Sequence, residues 1–151
     1  MAAADDPLEV AARALRGRDR SRRDVDGRLR KAGVDDADRA ETLERLERIG
    51  YLDEDRFARS RAATLAERGY GDAGIRADLE QQGVEADGVE AALGALAPEH
   101  DRAVALLEQL GTSVRTAGRL LRKGFAPELV EELVGDRLPG PNGGDDDPRV
   151  V

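Results

Sequence analysis

A helix-ending pattern occurs three times in this 151-residue chain and limits what it can fold into. It reads Leu29-Arg-Lys-Ala-Gly33-Val34, then Leu79-Glu-Gln-Gln-Gly83-Val84, then Leu120-Leu-Arg-Lys-Gly124-Phe125. In each copy an apolar residue stands four before a glycine and another follows it. A glycine just past a periodic run supplies the left-handed conformation that stops a helix, so each copy closes one bounded helix. Twelve residues before each glycine stand Ser21, Gly71 and Thr112, all residue types that can open a helix. The glycines are 50 and 41 residues apart, a spacing found in helical repeat proteins. A unit of that size buries its apolar face poorly alone and has to stack on its neighbours.

The surrounding elements agree with an all-α chain. Aromatics make up 3% of residues and Trp is absent, so the core has to come from Leu, Ala, Val and Ile. Asp6 caps a first helix with Pro7 at its first position, and Leu8, Ala11, Ala12 and Leu15 share a face. Val25 and Leu29 point inward from a second helix over 21–32, and Ala40, Leu43 and Leu46 from a third that stops at Gly50. The next unit opens at Asp53, a good cap, with Glu54 and Asp55 complementing the helix dipole and Leu52 and Phe57 spaced as a hydrophobic staple. Its later helices carry Ile75 and Leu79, then Val89, Ala92, Leu93 and Leu96. A third unit repeats the plan with Ala103, Leu106, Leu107 and Leu110, then Thr116, Leu120 and Leu121, then Leu129, Val130, Leu133 and Val134. Pro98 and Pro127 suit first-turn positions. The expected organisation is three tandem three-helix repeats, 1–50, 51–97 and 98–138, followed by a disordered acidic tail over 139–151.

Composition excludes several function classes. The absence of cysteine removes thiolate metal sites, thiol nucleophiles and disulfides. The N-terminus lacks the basic start and apolar stretch of a signal peptide, and no apolar run approaches the ~20 residues that span a bilayer. A soluble cytoplasmic protein is expected, without membrane contact. Gly69-Tyr70-Gly71-Asp72-Ala73-Gly74 spells the dinucleotide fingerprint, but a helix precedes it where that loop needs a strand, so it reads as a helix–helix turn. One histidine, His100, cannot build a common zinc site, and the run Asp53-Glu54-Asp55 lacks the glycine and distal glutamate of a calcium loop. No catalytic, cofactor-binding or metal-ligating residues are assigned.

Charge is the remaining signal. The net charge is −8, yet residues 1–70 balance sixteen basic against sixteen acidic side chains, so the deficit lies in the second half. Arg22, Arg23, Arg28, Arg30 and Lys31 decorate the middle helix of the first unit. Arg115, Arg119, Arg122 and Lys123 decorate that of the third, where no acid stands between Glu108 and Glu128. Arg115, Arg119 and Arg122 share a helix face by their i, i+4, i+7 spacing. Late cations also complement a helix C-terminus. A solvated face and a contact for phosphate or an acidic protein both remain open on charge alone.

Taken together the residues resemble the RecX family of bacterial recombination regulators, from about Ala11 to Leu138. The resemblance rests on Arg20-Ser21-Arg22-Arg23, on Leu29 to Gly33, and most specifically on Gly50-Tyr51-Leu52-Asp53-Glu54-Asp55-Arg56-Phe57-Ala58. It continues through Arg68-Gly69-Tyr70-Gly71, Ile75 to Leu79 with Gly83-Val84, and Leu121 to Phe125. It implies an elongated, curved array of three three-helix units and a non-enzymatic role. That role is binding the RecA filament on single-stranded DNA and restraining its ATPase, recombinase and coprotease activities, without a cofactor, as a monomer. In the specific stretch Gly50, Tyr51, Leu52, Asp53, Arg56 and Phe57 are expected to be mainly structural. The nine cations named above are the expected partner contacts, with direct nucleic-acid contact weak. The alternatives are a helical-repeat DNA-binding protein, which three short helices with a basic member permit, and a helical protein adaptor.

Overall fold

Residues 6–135 are described in a computed structural model of the chain. Among them run nine helices and no strand: α1 Pro7–Leu15, α2 Arg22–Lys31, α3 Asp36–Arg48, α4 Glu54–Glu67, α5 Asp72–Gln81, α6 Ala86–Gly94, α7 Glu99–Leu110, α8 Val114–Arg122 and α9 Pro127–Val134. The tail expected over 139–151 lies outside the described residues.

The repeated glycine pattern produces the same local structure three times. Gly33, Gly83 and Gly124 take φ of +83°, +86° and +90° just past α2, α5 and α8. In each copy the N–H after the glycine returns to the carbonyl of the leucine four before it: Val34 to Leu29, Val84 to Leu79 and Phe125 to Leu120, all at 3.0–3.1 Å. This is a Schellman turn, which satisfies the orphan carbonyls of the last helical turn and presses two apolar side chains together. All six of those side chains are buried. The sequence pattern is therefore a core pattern as well as a stop signal.

Side chains pack into three clusters, one for each successive set of three helices. Ala11, Val25, Leu29, Val34, Leu43, Leu46 and Leu52 form the first. Phe57, Ala58, Leu65, Ile75, Leu79, Val89 and Leu93 dominate the second. Ala103, Leu107, Leu120, Phe125, Val130 and Val134 dominate the third. The close helix pairings all fall inside these triplets.

Several details differ from the sequence reading. Leu52 was expected to staple against Phe57, but the two side chains belong to different cores, Leu52 to the first and Phe57 to the second. Its N–H bonds back to the Leu46 carbonyl at 3.1 Å, which folds the chain onto α3 before α4 begins. The cap of α8 is Ser113 rather than Thr112, because Ser113 is extended and its hydroxyl accepts the Thr116 N–H at 3.1 Å. Pro98 lies one position before the first turn, as the N-cap of α7. Ala12 and Ala40 are exposed. So are Leu110 and Leu121, at 42% and 46%. Thr42 takes an inward position on α3, its hydroxyl donating to the Asp38 carbonyl at 2.7 Å. Asp6 and Asp53 cap α1 and α4 as their identity suggests.

Gly33 and Gly124 share a left-handed φ but differ in surroundings. A Cβ on Gly33 meets nothing within 4 Å, whereas one on Gly124 falls under 3.0 Å from the backbone of Gly74. Gly33→Ala is expected to cost about 1–2 kcal/mol, the backbone term alone. Gly124→Ala adds displacement of one triplet from the next, and urea denaturation should show the larger loss there. Equal losses would mean that the contact at Gly74 yields without cost.

Candidate partner surface and the joints that position it

Two joints link the triplets, and both are made at the N-terminus of a middle helix. An α-helix opens with N–H groups that have no intrahelical acceptor. In α2 the cap residue Ser21 serves one of them, accepting the Asp24 N–H at 3.0 Å. The second triplet serves another, since the Arg22 N–H donates to Glu54 Oε1 at 3.3 Å. At α5 the cap is Gly71, which has no side chain to offer. There the third triplet supplies every acceptor for three successive residues. Gly71 N–H donates to the Lys123 carbonyl at 2.9 Å, Asp72 N–H to Glu99 Oε1 at 2.9 Å, and Ala73 N–H to the Gly124 carbonyl at 3.1 Å.

The two joints follow one plan. Glu54 and Glu99 are the first residues of α4 and α7, and each accepts the first N–H of the preceding triplet's middle helix. An arginine from the same helix then pairs with an aspartate at the facing end: Arg56 with Asp19 at 2.8 Å, and Arg102 with Asp72 at 2.7 Å. The C-terminus of the next middle helix points at the site as well. Negative helix C-terminus meets positive helix N-terminus, an arrangement favoured by both dipoles.

This geometry redistributes the nine cations singled out in the sequence. Arg22 pairs with Glu47 at 2.9 Å, and Arg23 reaches across the first joint to the Gln81 carbonyl at 2.7 Å. Lys123 gives its carbonyl to Gly71 and sets its ammonium 4.0 Å from the Tyr70 ring centroid. Arg28 and Arg30 pair with Asp24 and Asp26 on their own helix, at 3.3 and 3.5 Å. Lys31 is exposed. Arg115, Arg119 and Arg122 are exposed on α8, and none of the three has an ion-pair partner among the described residues. Beside them Val114 and Leu121, seven residues apart on one helix face, are 64% and 46% exposed. Three unpaired guanidinium groups next to an apolar strip form the outward face of α8.

The motif residues are placed as follows. Gly50 ends α3 at φ +80° and its carbonyl receives Arg56 at 3.4 Å. Tyr51 is 60% exposed. Asp53 caps α4 through the Arg56 N–H at 3.0 Å. Gly69, Gly71 and Gly74 form a helix–helix turn, and Gly71 and Gly74 leave room for the backbone of 123–125. His100 stands exposed beside Asp101. The joint roles of Glu54 and Glu99 were missed in the sequence, where both read as ordinary first-turn acids. A signal was available: each opens a helix and is followed two or three residues later by an arginine.

Burial in the joint raises the Glu54 pKa, partly opposed by the Arg22 N–H it accepts. A carboxyl with a raised folded pKa binds its proton more readily folded than unfolded. The folded state is therefore favoured as pH falls through that raised pKa toward the ordinary value of 4.5. Glu54→Gln retains an acceptor for Arg22 and lacks this titration. Its stability relative to the wild type should fall as pH is lowered from 7 to 5, which thermal melts at several pH values will measure. Glu54→Ala should lose about 1 kcal/mol at neutral pH, as for a lost cap.

Residues 53–93, from the cap of α4 into α6, match the family model for the second three-helix domain of RecX. The regulatory protein RecX of Acidithiobacillus ferrooxidans is 35% identical over 80 residues, covering 53% of this chain and 53% of that protein. This match spans about half the length of that relative. The regulatory protein RecX of a Mycobacterium species (strain JLS) is 28% identical over 148 residues, covering 85% of this chain and 79% of the relative. The crystal structure of RecX from Lactobacillus salivarius superimposes with a TM-score of 0.74 at 21% identity, over 86% of this chain and 93% of that one, which shows a shared fold. The likeness to RecX therefore holds in domain, sequence and architecture.

Proposed function

We propose that this relative of the RecX regulatory proteins is a non-enzymatic regulator of RecA, binding the RecA filament on single-stranded DNA and restraining its ATPase and strand exchange. The observation that carries this reading is the match of residues 53–93 to the second RecX domain inside a RecX-like succession of helical triplets. The three units are taken as 1–50, 51–97 and 98–138, acting in the cytoplasm as a monomer. A tandem array suits a repeating lattice, since successive units meet successive protomers.

The contact is assigned first to Arg115, Arg119 and Arg122. No acid among the described residues engages these cations, so a carboxylate or phosphate partner meets them without breaking an ion pair of the described helices. Lys31 and the outer parts of Arg28 and Arg30 form a second, weaker contact. Arg22, Arg23 and Lys123 act through the joints rather than by touching the partner. The exposed Val114 and Leu121 favour an acidic protein surface over bare phosphate as the partner of α8, because an apolar strip gains nothing against a phosphodiester backbone.

The test is the single-stranded-DNA-dependent ATPase of RecA from the same source, titrated with this protein. Inhibition should appear at well under one molecule per RecA protomer. The double variant Arg119→Glu and Arg122→Glu should keep its helical circular dichroism and lose most of that inhibition. Full ATPase activity at equimolar wild-type protein would remove the reading.

A further inference from the structure

The two joints share a plan but not a construction. At the second, two backbone-to-backbone hydrogen bonds tie Gly71 and Ala73 to Lys123 and Gly124. The chains approach so closely that a Cβ on Gly71, Gly74 or Gly124 would fall under 3.0 Å from opposing backbone. Glu99, the half-buried Arg102 and the Lys123–Tyr70 stack close around this contact. Backbone groups have no rotamers, so such a contact has a single arrangement.

At the first joint no backbone pair is formed. The corresponding helix C-terminus meets α2 through one exposed side chain, Arg23, which donates to the Gln81 carbonyl and lies over Gly83. The remaining ties are Glu54 to the Arg22 N–H, Arg56 to Asp19 and to the Gly50 carbonyl, and Leu52, which packs into the first core just before α4. Open space flanks the joint on two sides. A cleft of about 560 Å³ is lined by Arg22, Arg23, Asp36, Glu54, Gly83 and Glu85, and one of about 450 Å³ by Arg18, Asp19, Phe57, Arg61 and Arg68. Long side chains at a partly solvated joint keep several rotamers, and each permits a different angle between the triplets.

We infer that the first joint is a hinge, and that the second and third triplets move as one body against which the first triplet swings. The device goes beyond the proposed function and is a property of the free protein. With that function it gives the first triplet a means of adjusting to a lattice whose spacing changes, while the α8 face stays fixed to the middle triplet.

The chain has no cysteine, so spin labels can be placed at will. Exposed positions Glu44 on α3, Ala91 on α6 and Glu131 on α9 are replaced by cysteine in pairs. Pulsed dipolar spectroscopy then reads the 44–91 distance across the first joint and the 91–131 distance across the second, with no partner present. The 44–91 distribution should be broad or multimodal and the 91–131 distribution narrow. Arg23→Ala should broaden 44–91 further and leave 91–131 unchanged. Equal widths, or a broader 91–131 distribution, would overturn the hinge whatever the outcome with RecA. An unchanged 44–91 distribution in Arg23→Ala would also count against it, because Arg23 would then not be the tie.

Discussion

The N–H groups that open α5 have no acceptor in their own triplet, and the arrangement of the second and third triplets follows from that deficit. Gly71 at the cap leaves its own N–H and those of Asp72 and Ala73 to be satisfied from outside. Exchanging water for a protein acceptor gains about 0.5–1.5 kcal/mol per N–H, whereas an N–H left unmade inside the closed joint would cost about 1–3 kcal/mol, so the joint closes only with all three acceptors in place. The missing side chain also admits the opposing backbone. A serine there, as at Ser21 of α2, would satisfy one donor locally and hold the next triplet away. One residue type thus sets whether a joint is made by backbone or by side chain.

Polar joints suit triplets whose apolar residues are spent internally. Each core is assembled from a few Leu, Val, Ala and Ile side chains, with Phe57 and Phe125 as the only buried aromatics in the three clusters. The Schellman turns recruit Leu29 with Val34, Leu79 with Val84, and Leu120 with Phe125, so helix termination and core packing are one event in each unit. Truncating such a leucine to alanine removes about 2–5 kcal/mol, a large share of what a unit of this size can hold. Little apolar surface remains for the joints, and hydrogen bonds and dipole alignment fix the geometry there.

Legibility in the sequence follows the range of the interaction. The ends of α2, α5 and α8 were readable because their hydrogen bonds close within six residues. The caps Asp6, Ser21 and Asp53 were readable for the same reason, and the slip from Thr112 to Ser113 reflects two neighbouring residues with interchangeable chemistry. Leu110 and Leu121 fit an inward stripe by spacing, yet the third triplet offers no surface to cover them. The fates of Arg22 and Arg23 were not readable. Arg22 finds Glu47 and Arg23 finds Gln81, 25 and 58 residues away, and no local pattern marks those encounters. Glu54 and Glu99 lay in plain view as first-turn acids, but their acceptor role needs the preceding triplet in place.

The same basic composition therefore has opposite meanings on two helices. On α2 the cations are largely absorbed, by Asp24, Asp26 and Glu47 and by the end of α5, and they stabilise the first triplet and its joint. On α8 no acid stands between Glu108 and Glu128, and Arg115, Arg119 and Arg122 have no ion-pair partner among the described residues. The helix that carries this exposed charge is held by backbone contact to its neighbour, so a partner meets a backbone already in place and has only the side-chain rotamers to order. Added salt screens the exposed guanidinium groups over a Debye length of about 8 Å at physiological strength. It leaves the backbone bonds of the second joint almost untouched. Under the proposed function, recognition by α8 and the construction of the second joint rest on different forces, and a change in ionic conditions weakens the first while the second persists.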